Sequence, residues 1–557
     1  MRKLVLMLAA LVATLSLVPR SAQACGGFFC GQQPVDQSAE RILFAVGEDG
    51  SIQMITQISY KGAAADFAWV VPIAELPLEG SLATFPQLAL AALDANTGPV
   101  INGDWDCVAF GLAEADGGGA PAPGSSVTVY AREEVGPYDV AVLGSTVPGE
   151  LITWLRDNGY RVSDAMAPYI ADYEANGLKF IALKLLRDAS VEDIAPFSMT
   201  LPGGAPVIPL QMTALAAEPE MGIVVTILGA QRYEAANWPN LEVDLADVVF
   251  DYWSWRHNWT TVVARTVDAA GGQGFVTEMA APTAPLLERL LARAPSTPEQ
   301  VEAQLALQEL LGAHPYLSRL YTRLSAEEMT SDPMFRLSAG GDVDRVRDLP
   351  PSDASSCDVY WGGTEVPSAP CDFVACGAGG ICREALVEGA TLTGCACVPG
   401  TTARTTFDPD GRVTVACQDQ RMSFLNPGDV EIPGATPLPD PCVGFECGAG
   451  TCVAMNMTPT CICEQGLVAV GSLSAEGGRL TRCVTPTVAV PGAFYDRRLP
   501  SRRAALPVGR EYVIAPPPLV AGGGGCSIPL GAGSSGAPAA MILAAAWLVL
   551  GARRRRA

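Results

Sequence analysis

"CGAGGIC" (Cys376–Cys382) and "CGAGTC" (Cys447–Cys452) are near copies of one another, and each lies inside a set of six cysteines. The first set reads C-x4-C-x5-C-x12-C-x-C-x19-C, through Cys371, Cys376, Cys382, Cys395, Cys397 and Cys417. The second reads C-x4-C-x4-C-x8-C-x-C-x19-C, through Cys442, Cys447, Cys452, Cys461, Cys463 and Cys483. Together they hold 12 of the 17 cysteines in a chain of 557 residues. Each set spans fewer than 50 residues, too few to be held by apolar burial alone. Three disulfides per set, worth about 2–4 kcal/mol each, supply what so small a core lacks. Zinc is the competing reading, but neither set contains a histidine. Both sets therefore read as disulfide-stapled modules in an oxidising compartment, with the pairing left open by spacing alone.

The ends of the chain agree with export. "MRKLVLMLAALVATLSLVPRSAQAC" opens with Arg2 and Lys3, runs uncharged from Leu4 to Val18, and closes on Ala22-Gln23-Ala24. That order is a secretory signal, which predicts use of the export machinery and cleavage by signal peptidase after Ala24. A lipoprotein signal has leucine three residues before its cysteine, where this chain has Ala22. At the other end Ile528 to Ala552 carries no charge, and its densest part, Ala537 to Ala552, predicts a membrane-spanning helix. Such a helix is about 24 Å long at about 1.5 Å per residue, short for a bilayer core of about 30 Å. Arg553, Arg554, Arg555 and Arg556 hold the C-terminus on the cytoplasmic side at first. The formal net charge is −23, and loss of the basic residues of both end segments takes it to about −30. Such acidity excludes nucleic acid as a natural partner.

Between signal and modules, residues 25–345 read as one large α+β domain. Arg41–Val46 and Ser51–Tyr60 are strands around the turn "GEDG". In the second, Ile52, Met54, Ile58 and Tyr60 share one face, with Gln53, Gln57 and Ser59 on the other. "FPQLALAALDAN", "TVPGELITWLRDNGY" and "APYIADYEANG" read as helices, the last two stopped by glycine. "SVTVYAREEVGPYDVAVLGS" gives two strands, and "LKFIALKL" and "GIVVTILGA" one each. Pro285–Ala294, Pro298–Leu311 and Tyr316–Met329 are expected to be helical. Strands mixed irregularly with short helices point to α+β.

Local chemistry is sparse. G-x-S-x-G, P-loop and H-E-x-x-H motifs do not occur. The two histidines, His257 in "YWSWRHNWT" and His314 before Pro315, lie far apart in sequence. A carboxylate-pair mechanism needs no histidine, and Glu218 with Glu220 in "AAEPEMG", or Asp244, Asp247 and Asp251, are its candidates, each expected on a solvated loop or strand edge. No metal site and no cofactor are expected. Cys25, Cys30, Cys107 and Cys357 read as structural cysteines whose pairing is open; "CGGFFC" is C-x4-C rather than the redox C-x-x-C.

Three resemblances extend this reading. The C-x-C between the fourth and fifth cysteines and the short glycine loop before the third resemble EGF-like modules. That likeness implies Cys371–Cys382, Cys376–Cys395 and Cys397–Cys417 in the first module, and Cys442–Cys452, Cys447–Cys461 and Cys463–Cys483 in the second. The acidic and amide residues of calcium-binding members are not matched in "PSAPC" and "LPDPC", and "DPDG" (Asp408–Gly411) reads as a hairpin turn. Gly525-Cys526, the short span and the arginine cluster resemble the bacterial MYXO-CTERM sorting signal. It implies an intramembrane sorting protease acting at Cys526 and delivery to the cell surface. Blocks such as "ACGGFFCGQQPVDQSAERILFAV", "ADFAWVVPIAELP", "VGPYDVAVLGS" and "IPLQMTALAAEPEMGIVVTILG" resemble the bacterial domain of unknown function 2330, over roughly residues 24–340. That resemblance implies an exported domain and carries no activity.

The expected layout is a signal peptide (1–24), the α+β domain (25–345), a linker (346–370) and module one (371–417). A second linker (418–441), module two (442–483), a Pro/Arg-rich stalk (484–525) and the sorting signal with its transmembrane segment (526–557) follow. The expected role is exported and displayed at the cell envelope: non-enzymatic binding, adhesion or envelope organisation, with a protein or glycan ligand. A surface hydrolase using carboxylates of residues 25–345 is the alternative.

Overall fold

The computed structural model describes residues 24–25, 28–29, 37–60, 68–102, 128–144, 149–349 and 370–487, apart from gaps at 161, 187–188, 190–192, 252–255, 388, 409–411, 427–438 and 475–477. The side chains of Ala24 and Cys25, and all of Cys30, Cys107, Cys357, Cys526, the 537–552 span and Arg553 to Arg556, lie outside the described residues. Among the described residues no helix is long and apolar enough to cross a membrane.

Strands Gln37–Val46 and Ile52–Tyr60 pair antiparallel around the expected turn. Gly50 supplies the left-handed residue there, with φ of 84°, a conformation open to glycine without strain. Ile52 and Met54 enter one core cluster and Ile55 another, so this strand is covered on both faces. It belongs to a nine-stranded sheet. The order runs Asn240–Leu241, Phe275–Pro282, Tyr316–Leu324, Ala217–Gly229, Gln37–Val46, Ile52–Tyr60, Phe197–Leu201, Ala83–Thr84, and Ala24–Cys25 pairs beside Ile52–Tyr60. A second sheet of five strands runs Phe28–Phe29, Ala68–Ile73, Lys179–Leu185, Tyr138–Gly144, Thr128–Val135.

The two sheets stack. Phe44, Met54, Ile223, Val225 and Leu320 of the first pack with Trp69, Val71, Val140 and Ile181 of the second in the main core. Helices Gln87–Thr97, Ala284–Leu291 and Pro298–Ala313 cover the outer face of the nine-stranded sheet, meeting it at Leu43, Ala45, Leu228 and Leu317. Helices Glu150–Asp157 and Ala167–Ala175 cover the outer face of the five-stranded sheet through Leu151, Leu155 and Ile170. The architecture is a helix–sheet–sheet–helix sandwich, which is α+β because nearly all neighbouring strands are antiparallel; Gln37–Val46 beside Ala217–Gly229 is a parallel exception.

Tyr316–Met329 is not a helix. Tyr316–Leu324 is a strand between Ala217–Gly229 and Phe275–Pro282, and Ala326–Glu328 is a short 3-10 turn. Leu317, Leu320, Tyr321 and Leu324 have helical spacing, but an interior strand buried on both faces loses the alternation by which strands are read. The domain also runs past residue 345, since Val346–Asp348 pairs in parallel with Val100–Asn102.

Beyond Pro370 the chain forms four hairpins. Six disulfides join Cys371–Cys382, Cys376–Cys395, Cys397–Cys417, Cys442–Cys452, Cys447–Cys461 and Cys463–Cys483. The Asp408–Gly411 stretch connects Thr401–Phe407 to Val413–Asp419, with Asp408 Oδ1 accepting from Arg412 N at 2.8 Å. The two modules are interleaved rather than strung in line. The first hairpin of module one pairs with the second hairpin of module two through Gly394–Val470 and Cys395–Ala469. The second hairpin of module one pairs with the first of module two through Ala403–Cys461. Two four-stranded sheets result, each built from both modules.

Glu40, on Gln37–Val46, is buried beside Ile223 of the neighbouring strand, and that burial pushes its carboxyl up from 4.5 to about 7. The fold favours the neutral acid, so its contribution is complete below the unfolded value and is lost as pH rises through the folded one. Between those two values the protein should lose about 3 kcal/mol of stability. Denaturant midpoints at about pH 5 and about pH 8 should differ in the wild type and converge in Glu40→Gln.

Candidate functional site

Glu218 and Glu220 lie on Ala217–Gly229, where the register against Gln37–Val46 slips between Ala217 and Gly222. Such a bulge bends a strand and re-aims its side chains. Glu220 has φ of 60°, a left-handed conformation uncommon for a side-chain-bearing residue. Both carboxylates point inward, with Glu218 fully buried and Glu220 at 3% exposure. The expected solvated edge is thus corrected: the bulge carries them into the seam between the large domain and the disulfide-rich unit.

Glu218 is claimed by that unit. Arg479 Nη2 donates to its Oε1 at 2.6 Å, Arg404 Nη2 stands 3.9 Å from the same oxygen, and Thr406 Oγ1 donates to Oε2 at 2.8 Å. A buried carboxylate is tolerable only when paired and hydrogen-bonded, and here all three partners belong to the other body. Further contacts secure the seam. Arg265 Nη2 donates to the carbonyls of Cys371 and Val374, and Asn258 Nδ2 donates to Asp372 O at 3.2 Å. Phe424, Leu425 and Met457 enter the core cluster of Leu151, Trp154 and Ile170, and Tyr169 meets Phe424 edge-on with ring centroids 5.2 Å apart. Asn456 and Met457 both have positive φ, 49° and 61°, the signature of a two-residue hairpin turn of type I′. Asn456 Oδ1 accepts from Phe424 N at 2.6 Å and Leu425 N at 3.0 Å, and so fixes the turn against the docking segment.

Glu220 faces a different group. Ser325 Oγ donates to Glu220 Oε1 at 3.2 Å and accepts from Glu220 N at 3.1 Å. Ser325 N donates to Glu328 Oε2 at 2.7 Å, closing a capping box on the 3-10 turn. Asp268, near the end of helix Trp259–Ala269, completes a buried trio in which one carboxylate oxygen of each of Glu220, Asp268 and Glu328 lies within 4.8 Å of the others.

A second buried polar chain lies along Tyr316–Leu324. Arg319 Nε donates to Glu278 Oε2 at 2.7 Å, Trp259 Nε1 donates to Glu278 Oε1 at 2.7 Å, and Arg319 also pairs with Asp94, which Arg41 reaches at 3.1 Å. Burial pushes Asp94 up, but Arg319 and Arg41 together overcome it and hold the carboxyl below its ordinary value. A shallow recess opens here between Arg41, Leu90, Leu93, Asp94, Thr226 and Arg319. Its charged groups, Arg41, Asp94 and Arg319, are already paired to one another.

The remaining sequence candidates do not converge. His257 lies on a two-residue strand against Phe250, and His314 ends helix Pro298–Ala313 with Nδ1 2.8 Å from Leu310 O. Asp244 accepts from Ala246 N in a local turn that contains Asp247. The Asp251 side chain lies outside the described residues. Arg404, Arg479 and Asp268 carry no local signal because their partners are remote in the chain, whereas Ser325 and Glu328 stand in the S-x-x-E spacing of a capping box.

Residues 19–287 match the family model described as an uncharacterized protein conserved in bacteria (DUF2330). The DUF2330 match takes in Glu218, Glu220 and Asp268 but stops before Tyr316–Leu324, an interior strand of the same sheet. The folded domain therefore extends beyond the matched segment. No curated protein matches the chain. Among solved structures, a mutated baculovirus P35 after caspase cleavage is similar at 11% identity over 35% of this chain and 69% of that one, with a TM-score of 0.20.

Removing Glu218 should open the seam. Glu218→Ala leaves Arg404 and Arg479 facing a vacated buried site, at an expected cost of about 3–5 kcal/mol. Denaturant titration should show that loss, and limited proteolysis should release the disulfide-rich unit faster than in the wild type.

Proposed function

We propose that this chain is an exported cell-envelope protein whose large domain and disulfide-rich unit act as a single rigid head with a non-enzymatic binding or adhesive role. The observation that carries the reading is the use of Glu218. It is the most deeply buried carboxylate that the sequence offered for catalysis, and it is spent holding the two bodies together. Among the described residues the recess at Asp94 and Arg319 is shallow and internally paired, a poor substrate cleft. The six disulfides mark maturation outside the reducing cytosol.

The disulfide-rich unit exposes apolar side chains of the kind that contact a protein or glycan. Leu386 and Val443 are 62% and 82% exposed. Leu386 precedes the turn of the first hairpin of module one, and Leu473, also exposed, precedes that of the second hairpin of module two; both hairpins lie in one sheet. On this reading the EGF-like modules present the contact surface, the large domain backs it, and the tail from Cys526 is a MYXO-CTERM-type handle. An intramembrane protease processes that handle before the head reaches the surface.

Fractionation with protease treatment of intact cells tests the proposal. Wild-type head should be digested from outside and recovered with the outer envelope, while Cys526→Ala should stay in the inner membrane. If both proteins remain in the inner membrane, the sorting part fails and a plain anchor is left. Binding of purified mature protein to host envelope fragments should be saturable and should fall about tenfold in Leu386→Asp/Leu473→Asp. Unchanged binding would move the contact surface elsewhere.

A further inference from the structure

The Glu220, Asp268 and Glu328 trio is not explained by the seam alone. Three buried carboxylates whose oxygens gather within 4.8 Å repel one another. Arg323 Nε donates to the main-chain oxygen of Glu220 at 2.9 Å and so helps to fix the bulge beside the trio.

An independent observation points to the same place. Gln418 is fully buried, and among the described residues neither its Oε1 nor its Nε2 has a hydrogen-bond partner. A buried amide left without partners is costly. Register fixes which way it faces. Gln418 is paired across the hairpin with Thr402, and Arg404 and Thr406 follow at alternate positions on the same strand. Side chains two apart share a face. Arg404 and Thr406 meet Glu218, so Gln418 belongs to the face that closes over the large domain. Its strand packs against the Ala326–Glu328 turn. The neighbouring Cys417 carbonyl and Glu220 Oε1 both stand 3.2 Å from where a Cβ on Gly377 would be. The strand that carries this amide thus lies beside the acidic trio, on the opposite body.

We propose that Glu220, Asp268 and Glu328 of the large domain, with Gln418 of the disulfide-rich unit, form a calcium site that locks the two bodies together. The donors are all hard oxygens, with no histidine or cysteine, which selects calcium over the transition metals. Calcium–oxygen distances of about 2.4 Å allow ligands of one ion to stand up to about 4.8 Å apart, and the three oxygens of the trio lie within that limit of one another. Magnesium keeps several of its waters and demands a smaller octahedral cage, a poor match for carboxylates buried this deeply. The proposal stands independently of the sorting and binding roles above.

The test uses the full-length mature protein with its disulfides intact, stripped with EGTA and titrated with calcium chloride by calorimetry, with thermal melting alongside. Wild type should bind one ion per chain with a Kd of about 10⁻⁴–10⁻³ M and melt higher with calcium but not with magnesium. Asp268→Asn and Gln418→Ala should each weaken binding by about tenfold or more, and Gln418→Glu should retain it. Circular dichroism establishes that each variant is folded. If one fails to fold, the other carries the comparison. Absence of heat and of any melting shift in the wild type would overturn the proposal. So would calcium affinity unchanged in both folded variants, which would assign binding to the general acidity of the surface.

Discussion

A single buried carboxylate, Glu218, decides how the two halves of this protein relate. Its charge lies inside the large domain's central strand, while the arginines that neutralise it, Arg404 and Arg479, and the hydroxyl that hydrogen-bonds it, Thr406, lie on hairpins of the disulfide-rich unit. Neither half is electrostatically complete alone. The desolvation of an ion pair is a weak source of net stability, but breaking one is severe. Displacing the disulfide-rich unit would therefore strand a buried charge.

The bulge that makes this possible also produces the strained Glu220. Without the slipped register between Ala217 and Gly222, successive glutamates on a regular strand two residues apart would face one way. The left-handed turn at Glu220 separates their tasks, giving one to the arginines of the partner body and the other to the Ser325 capping turn. Backbone strain of this kind persists where surrounding contacts over-determine it.

Much of the fold was legible because its local signals agree. The "GEDG" hairpin, the proline-led helices at Ala284 and Pro298, and the cysteine repeat all rest on short-range chemistry. The failures were long-range. Tyr316–Leu324 carries helical spacing yet is covered on both sides by other strands. Glu218 looked like one acid among 59, and its arginine partner Arg479 lies 261 residues away. The interleaving of the modules was equally hidden, since each cysteine set is self-sufficient on paper and only cross-module pairing at Gly394–Val470 and Ala403–Cys461 reveals the exchange.

The route by which the chain leaves the disulfide-rich unit has a mechanical meaning. Thr487 N donates to Glu384 O and Pro486 bridges to Ala385, so the exit runs along an edge strand of the first module. Just upstream, Cys483 is covalently bound to Cys463. Tension arriving from the C-terminal side is first met by two weak edge contacts that can peel one at a time. It then reaches a sulfur crosslink that passes the load into the interleaved sheets before any hairpin must unzip.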